Sequence, residues 1–225
     1  MHAAKDQQDG LFVNLYTTAV VNHTLTDGRQ IALSVETEYP HKGDVKVRFD
    51  GKSPTPFKLR LRIPDWCKSA RVEWPGQKRK RVEGGDYLVI DRTWRENDTV
   101  QLRFDMPVRI ILPHPQVKAN AGQVVFARGP VLFCLEKEDV DFPVEKARVA
   151  IRPEEVTNRV GVKWHPDLLD GIHMLNVPGL VEGKAVDLKL VPWSVRANRS
   201  DNSRWVIWLP LAGATAGRNS VKATQ

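Results

Sequence analysis

The chain has 225 residues, 41% of them apolar, enough to bury the core of one large or two ordinary domains, and it has no apolar run of bilayer-spanning length. Its 15 glycines and 15 prolines are spread along the sequence rather than clustered, which excludes a low-complexity class and suits many short strands joined by turns. The formal net charge of +7 invites a polyanion partner, but most basic residues stand singly on alternate positions, as in Lys46/Arg48 and Lys58/Arg60/Arg62, so neither nucleic acid nor a membrane is expected as a partner.

Residues 1–9 are polar and read as an extended lead-in. They hold no apolar segment of the kind a secretory signal needs, which leaves the cytoplasm as the default expectation. Leu11–Thr18 is a β-rich run, Thr26-Asp27-Gly28 is a turn, and Gln30–Glu38 alternates with Ile31, Leu33 and Val35 on one side. Asp44–Asp50 repeats the alternation with Val45, Val47 and Phe49. The clearest strand is Phe57–Ile63, where Phe57, Leu59, Leu61 and Ile63 alternate with Lys58, Arg60 and Arg62. It predicts a core strand of an antiparallel sheet, stopped by Pro64 and covered at its end by the Trp66 ring. Arg71–Trp74 and Tyr87–Trp94 flank the basic run Lys78-Arg-Lys-Arg81, which reads as a hairpin tip, with a polyanion contact as the functional alternative. Thr99–Phe104 follows the turn Asn97-Asp98. The first domain is therefore placed at 10–112, an antiparallel β-sandwich.

Pro113-His114-Pro115 reads as the joint to a second antiparallel β-sandwich at 113–211, followed by a flexible tail at 212–225. Gln123–Arg128 and Val131–Glu136 predict two strands broken at Gly129-Pro130, while Ala147/Val149/Ile151 and Val186/Leu188/Leu190 alternate cleanly. Between Glu154 and Gly183 the pattern weakens, with room for a helical turn at Pro166–Leu169. Arg204–Leu209 is apolar on both faces and is expected to be central or to lie between sheets. The fold class is thus all-β, two consecutive sandwiches.

No constellation of residues marks out chemistry. Trp164-His165-Pro166-Asp167 through Asp170-Gly-Ile-His173 gathers two histidines and two aspartates without zinc-ligand spacing, and reads as polar residues around a turn. Glu136, Glu138, Asp139 and Asp141 lack the glycine-punctuated loop of a calcium site and read as a solvated loop. Cys67 and Cys134 follow Trp66 and Phe133 and read as buried thiols. The seven tryptophans could stack on sugars, although Trp66, Trp94, Trp205 and Trp208 sit at strand ends or in apolar strands, where packing is the commoner role.

Five ordered segments carry a resemblance: Gly10-Leu-Phe-Val-Asn-Leu-Tyr16, Leu59-Arg-Leu-Arg-Ile-Pro-Asp-Trp-Cys67, Met106-Pro-Val-Arg109, Arg128-Gly-Pro-Val-Leu-Phe-Cys-Leu-Glu136, and Pro192 through Ala197-Asn-Arg199. From about Gly10 to Pro210 the chain resembles the C-terminal part of glycoside hydrolase family 127, which includes β-L-arabinofuranosidases. The resemblance implies a preceding helical (α/α)6 barrel that carries a zinc-bound cysteine nucleophile and a glutamate acid/base. Neither Cys67 nor Cys134 matches that nucleophile, because each falls inside a sandwich motif, so no catalytic, cofactor-binding or metal-binding residue is carried over. The chain also departs from the family at Trp193-Ser-Val-Arg196, where aromatics usually follow the prolines.

The expectation is therefore a truncated or split-gene product, inactive alone, with no cofactor of its own and the helical barrel or its chain as partner. Carbohydrate is a second candidate partner. The alternative is a free-standing carbohydrate-binding module, which loses its basis if Trp66, Trp94, Trp193 and Trp205 are all buried. An active site within the sandwiches ranks last.

Overall fold

The computed structural model describes residues 10–213, and the chain splits between Met106 and Pro107 into two compact units. The expected lead-in at 1–9 lies outside the described residues, as does the expected tail apart from Ala212 and Gly213.

The first unit contains β1 (Gly10–Val13), β2 (Ala19–Thr24), β3 (Gln30–Thr37), β4 (Asp44–Phe49), β5 (Thr55–Arg62), β6 (Ser69–Trp74), β7 (Gln77–Glu83), β8 (Tyr87–Trp94) and β9 (Thr99–Phe104). They form a three-stranded sheet, β1-β5-β8, and a six-stranded sheet, β2-β3-β4-β9-β6-β7. Both sheets contribute to one core, which joins Leu11, Leu59 and Leu61 of the smaller sheet to Leu33, Val47, Val100 and Leu102 of the larger. Phe57, Leu59, Leu61 and Ile63 are buried as the alternation requires, each burial contributing about 1.5–3 kcal/mol. Trp66 stacks on Tyr39 at 6.4 Å and meets Phe104 edge-on at 5.9 Å, closing the end of this core.

Two local expectations need correction. The central strand is not purely antiparallel: β1 pairs with β5 in parallel, Gly10 opposite Lys58 and Val13 opposite Leu61, while β8 supplies the antiparallel neighbour. The basic run is not a hairpin tip either. Pro75-Gly76, with Gly76 at φ +88°, makes the turn, and Lys78–Arg81 lies along β7 at the sheet edge. A strand edge exposes unpaired backbone groups, and a row of charged side chains there opposes edge-to-edge association.

The second unit contains β10 (Val108–Ile111), β11 (Gln123–Arg128), β12 (Val131–Glu136), β13 (Arg148–Val149), the short helix α1 (Val156–Arg159), β14 (Gly161–His165), β15 (Ile172–Val181), β16 (Lys184–Pro192), β17 (Trp205–Val206) and β18 (Leu209–Pro210). The division falls at Met106 rather than Leu112 because Val108–Ile111 pairs antiparallel with β11. The stretch around Pro166–Leu169 is a turn, not helical: Leu169, Asp170 and Gly171 all have positive φ, and the helix falls earlier, at Val156–Arg159.

The strands form one branched sheet rather than two separate ones. The β11–β12 hairpin is zipped near its turn, from Arg128 opposite Val131 to Phe126 opposite Phe133, and then splits. Along β11, Val124 and Gln123 pair with Leu209 and Pro210; along β12, Leu135 and Glu136 pair with Val206 and Trp205. Residues 204–211 thus enter the fork, bonded at its open end through Lys137 N–H to Arg204 O (2.8 Å) and Leu211 N–H to Gly122 O (2.9 Å). This explains the apolar run Trp205–Leu209: its strands have backbone partners from the diverging arms, and Leu209 is fully buried. Ala212 N–H donates to Val149 O at 2.8 Å, so the ordered chain passes the expected start of the tail.

Candidate functional site

The fork brings together the two C-terminal sequence motifs. Glu136, at the end of β12, is fully buried, and its carboxylate faces the segment that leaves β16. Oε1 accepts from the Ala197 backbone N–H at 2.5 Å and from the Ser203 hydroxyl at 2.8 Å, while Oε2 accepts from the Arg199 guanidinium. Arg199 also grips Asp139 through both terminal nitrogens, at 2.8 and 2.5 Å. The same Ser203 hydroxyl lies 2.6 Å from the Glu138 carboxylate. Glu136, Glu138 and Asp139 therefore form part of an ordered polar network around Arg199 and Ser203, not the solvated loop their sequence suggested. Ala197 sits at φ +59°, a left-handed conformation that aims its N–H at Glu136.

The contacts favour the ionised forms of Glu136 and Arg199. Burial alone would raise the Glu136 pKa, but Arg199, the Ala197 N–H and the Ser203 hydroxyl outweigh it and hold the carboxyl below its ordinary range. Arg199 is held above its ordinary value, chiefly by Asp139. A glycosidase general acid needs the opposite shift, a carboxyl kept protonated near neutrality. Glu136 carries the reverse shift and is no such acid.

Beside the network, the Arg196 guanidinium lies 3.7 Å from the Trp193 ring centre and 5.2 Å from that of Trp205, and the two indoles meet edge-on at 4.4 Å. This stacking holds the segment against β17. It also covers a Trp193 face, so that face is not open to a sugar. Trp94 is buried, with its Nε1–H donating to Phe57 O at 3.1 Å; Trp66 and Trp193 are half-buried and Trp205 is 38% exposed. Trp164 is exposed on β14 and meets His173 edge-on at 4.8 Å, across the pairing that joins β14 to β15. Trp193 and Trp205 thus share one cluster, while Trp66 and Trp94 pack in the first unit and Trp164 lies on β14.

Both cysteines are buried and free. Burial, and secondarily the Glu136 charge, push the Cys134 thiol up to about 12. Burial also raises Cys67, whose Sγ donates to Ser69 O at 3.1 Å. A nucleophilic cysteine needs the reverse, a stabilised thiolate within reach of substrate. Among the described residues no three His, Cys, Asp or Glu side chains converge to hold a metal ion, and the His165/His173 and Asp167/Asp170 group is no exception. The residues present do not fit a zinc site. Among them also, no helix is long and apolar enough to cross a membrane.

In the first unit, the N-terminal motif forms β1 and the turn beyond it. The Tyr16 hydroxyl donates to Arg62 O at 2.7 Å, and the Tyr87 hydroxyl to Asn14 Oδ1 at 2.8 Å. On the outer face of the three-stranded sheet, Phe12 lies opposite Arg60 and Arg60 opposite Val89. The Arg60 guanidinium sits 4.8 Å from the Phe12 ring centre, with Tyr87 edge-on to Phe12 at 5.3 Å. This face therefore mixes Phe12, Tyr87 and Val89 with the basic side chains of β5, and Leu15 beyond it is 65% exposed.

Family models agree with this anatomy. Residues 10–106 match the middle domain of the GH127 β-L-arabinofuranosidases, and residues 108–210 match the glycoside hydrolase family 127 C-terminal domain. The chain belongs to glycoside hydrolase family 127. A curated relative, a non-reducing end β-L-arabinofuranosidase from Bifidobacterium longum subsp. longum, is 28% identical over 163 residues, or 62% of this chain and 24% of the relative. The solved GH127 β-L-arabinofuranosidase from Geobacillus stearothermophilus T6 superimposes with a TM-score of 0.79 at 30% identity, covering 91% of this chain and 34% of that one. A second solved GH127 β-arabinofuranosidase gives 0.78 at 28% identity, covering 92% and 35%. The chain spans about a quarter of the curated relative and about a third of the solved GH127 structures, and it corresponds to the domains outside their barrel.

Proposed function

We propose that these two units are the non-catalytic part of a β-L-arabinofuranosidase-like enzyme and that they support a helical catalytic barrel. In this reading the barrel holds the zinc and the cysteine nucleophile, and this chain supplies neither. The single observation that carries the reading is the state of the ionisable groups. The buried carboxylate of the family motif is tied to Arg199, and both thiols are buried and shifted away from the thiolate. The outer face of β1-β5-β8 sets Phe12, Tyr87 and Val89 among Lys58, Arg60, Arg62 and Asp91, with the exposed Leu15 beyond, and this mixed surface supports a docking role for the first unit.

The test is hydrolysis of a chromogenic β-L-arabinofuranoside by the purified chain, with and without added zinc and a reducing agent. The expected result is no turnover above buffer. Zinc-dependent turnover abolished by Cys67→Ser or Cys134→Ser would overturn the reading and place the chemistry on a sandwich cysteine.

A further inference from the structure

The outer face of the six-stranded sheet in the first unit carries a charge arrangement that the scaffold role does not require. Cross-strand register places Arg81 on β7 opposite Arg71 on β6, and Arg71 opposite Arg103 on β9, with Asp44 on β4 next in the row. Side chains directly opposite on one face lie about 5 Å apart at Cβ, and like charges so placed are destabilising. Two carboxylates offset this in part: Arg71 reaches Asp105 at 3.2 Å and Arg103 reaches Asp44 at 3.6 Å, both pairs largely exposed. The side chains of Arg79 and Arg81 have no ion-pair or hydrogen-bond partner among the described residues. A cleft opens at this point, lined by Arg71, Arg79, Arg103, Gln101, Glu73 and Asp44.

Two shallow hollows adjoin the cleft and extend it into a groove along the sheet face by the lining residues they share with it. One neighbouring hollow shares Gln101, Glu73 and Arg79 and runs to Trp74 and Pro75; another shares Gln101 and Asp44 and runs to Glu36 and Lys46. Together they cross β7, β6, β9, β4 and β3. At about 4.8 Å between strands that is a span of roughly 19 Å. The next row on the same face is Glu73, Gln101, Lys46 and Glu36, with Lys46 bonded to Glu36 at 3.3 Å.

We infer that this groove binds an extended acidic saccharide, with a uronate carboxylate held by Arg71, Arg79 and Arg103 and neighbouring hydroxyls met by Gln101, Glu73 and Lys46. Guanidinium groups pair with carboxylates through two parallel hydrogen bonds, the strongest polar contact available to an exposed site. Gln101 donates and accepts through one amide, which suits hydroxyls that do both. The saccharide part of this assignment rests on the family reading above; the anion part rests on the arginine geometry alone.

Titration calorimetry at low ionic strength tests it, using a four-residue oligogalacturonate, its fully methyl-esterified form, sodium sulfate and a single-stranded oligonucleotide as separate probes. The acidic oligosaccharide should bind, with affinity falling as salt is added, and the ester and sulfate should bind at least about tenfold more weakly. Arg79→Ala combined with Arg103→Gln should weaken the acidic probe by about tenfold or more. Lys118→Ala, on the second unit, should leave it unchanged. Both cleft substitutions fall on exposed side chains, and an unchanged melting temperature confirms that folding is intact. No binding of the acidic probe, or equal binding of the ester, overturns the proposal. Sulfate binding as tight as the oligosaccharide overturns its saccharide part while leaving the scaffold reading intact, and tighter binding of a single-stranded oligonucleotide would assign the groove to nucleic acid instead.

Discussion

Glu136 and Arg199, 63 residues apart in sequence, share a charge-assisted hydrogen bond that ties the end of β12 to the segment following β16. Each ends one of the motifs by which the family was legible in the sequence. Their pairing gives a physical reason for both motifs: a fully buried carboxylate must be neutralised and hydrogen-bonded, and Arg199, Ala197 and Ser203 supply what it needs.

Replacing Glu136 with Gln should therefore be costly. It replaces a charge-assisted bond to Arg199 by a neutral one while Asp139 still holds the guanidinium, so a cost of about 1–3 kcal/mol is expected. Urea unfolding of the variant should show a lower midpoint with little change in slope. The pH dependence follows from the depressed Glu136 pKa. The carboxylate's stabilisation is complete above the ordinary glutamate range, near pH 4.3, and is lost as pH falls toward the lower folded-state value. The wild-type chain should lose stability on acidification below about pH 4 more steeply than Glu136→Gln. Equal slopes would mean that Glu136 carries no pH-linked stability.

A second prediction concerns the parallel pairing of β1 with β5. A Cβ added at Gly10 would lie 2.5 Å from Lys58 O and would also strike the Arg60 guanidinium. Gly10→Ala should destabilise the chain by about 1–3 kcal/mol, the usual range for overpacking. Tyr16→Phe, which removes only the hydroxyl bonded to Arg62 O, should cost about 1 kcal/mol. Thermal unfolding of the two variants checks both the order and the size. A Gly10→Ala protein as stable as wild type would show that β1 is not held closely to β5.

The thiols give a third test. With Cys134 pushed up to about 12 and Cys67 also raised, neither is a thiolate at pH 8 and neither is accessible. Native protein should react with a disulfide reagent at least about a hundredfold more slowly than a free thiol, and both sulfurs should titrate promptly in denaturant. Fast reaction of one cysteine in the native state would contradict its burial.

Strand alternation was the most legible part of the fold. Val45/Val47/Phe49, Phe57/Leu59/Leu61 and Val100/Leu102/Phe104 declare their buried faces because a period of two leaves no alternative when one side meets water. Sheet partners were less legible. Nothing in Gly10–Val13 shows that it runs parallel to its neighbour, and nothing in Lys78–Arg81 separates an edge strand from a loop, since both are solvated. The polar sites were hidden for a related reason. Glu136 ends an apolar strand that gives no hint of its partner, and the row Arg81–Arg71–Arg103 exists only once β7, β6 and β9 are in register.

The C-terminal strands supply the last prediction. Residues 204–211 lie between the arms of the split β11–β12 hairpin, and Leu209 joins the core formed by Val124, Phe126, Leu135 and Leu190. Leu209→Ala removes a fully buried side chain between the diverging arms, so a cost of about 2–5 kcal/mol is expected. Val20→Ala, at a side chain 76% exposed, provides the control and should change stability by less than about 0.5 kcal/mol. Hydrogen exchange should locate the damage. Amide protection should fall first at Leu211, Lys137 and along Gln123–Val124, while the long β15–β16 ladder from Leu175 to Val181 stays protected at lower denaturant. Uniform loss of protection across the unit would mean that the fork opens only with global unfolding, and a Leu209→Ala variant no weaker than Val20→Ala would show that the inserted segment is not part of the core.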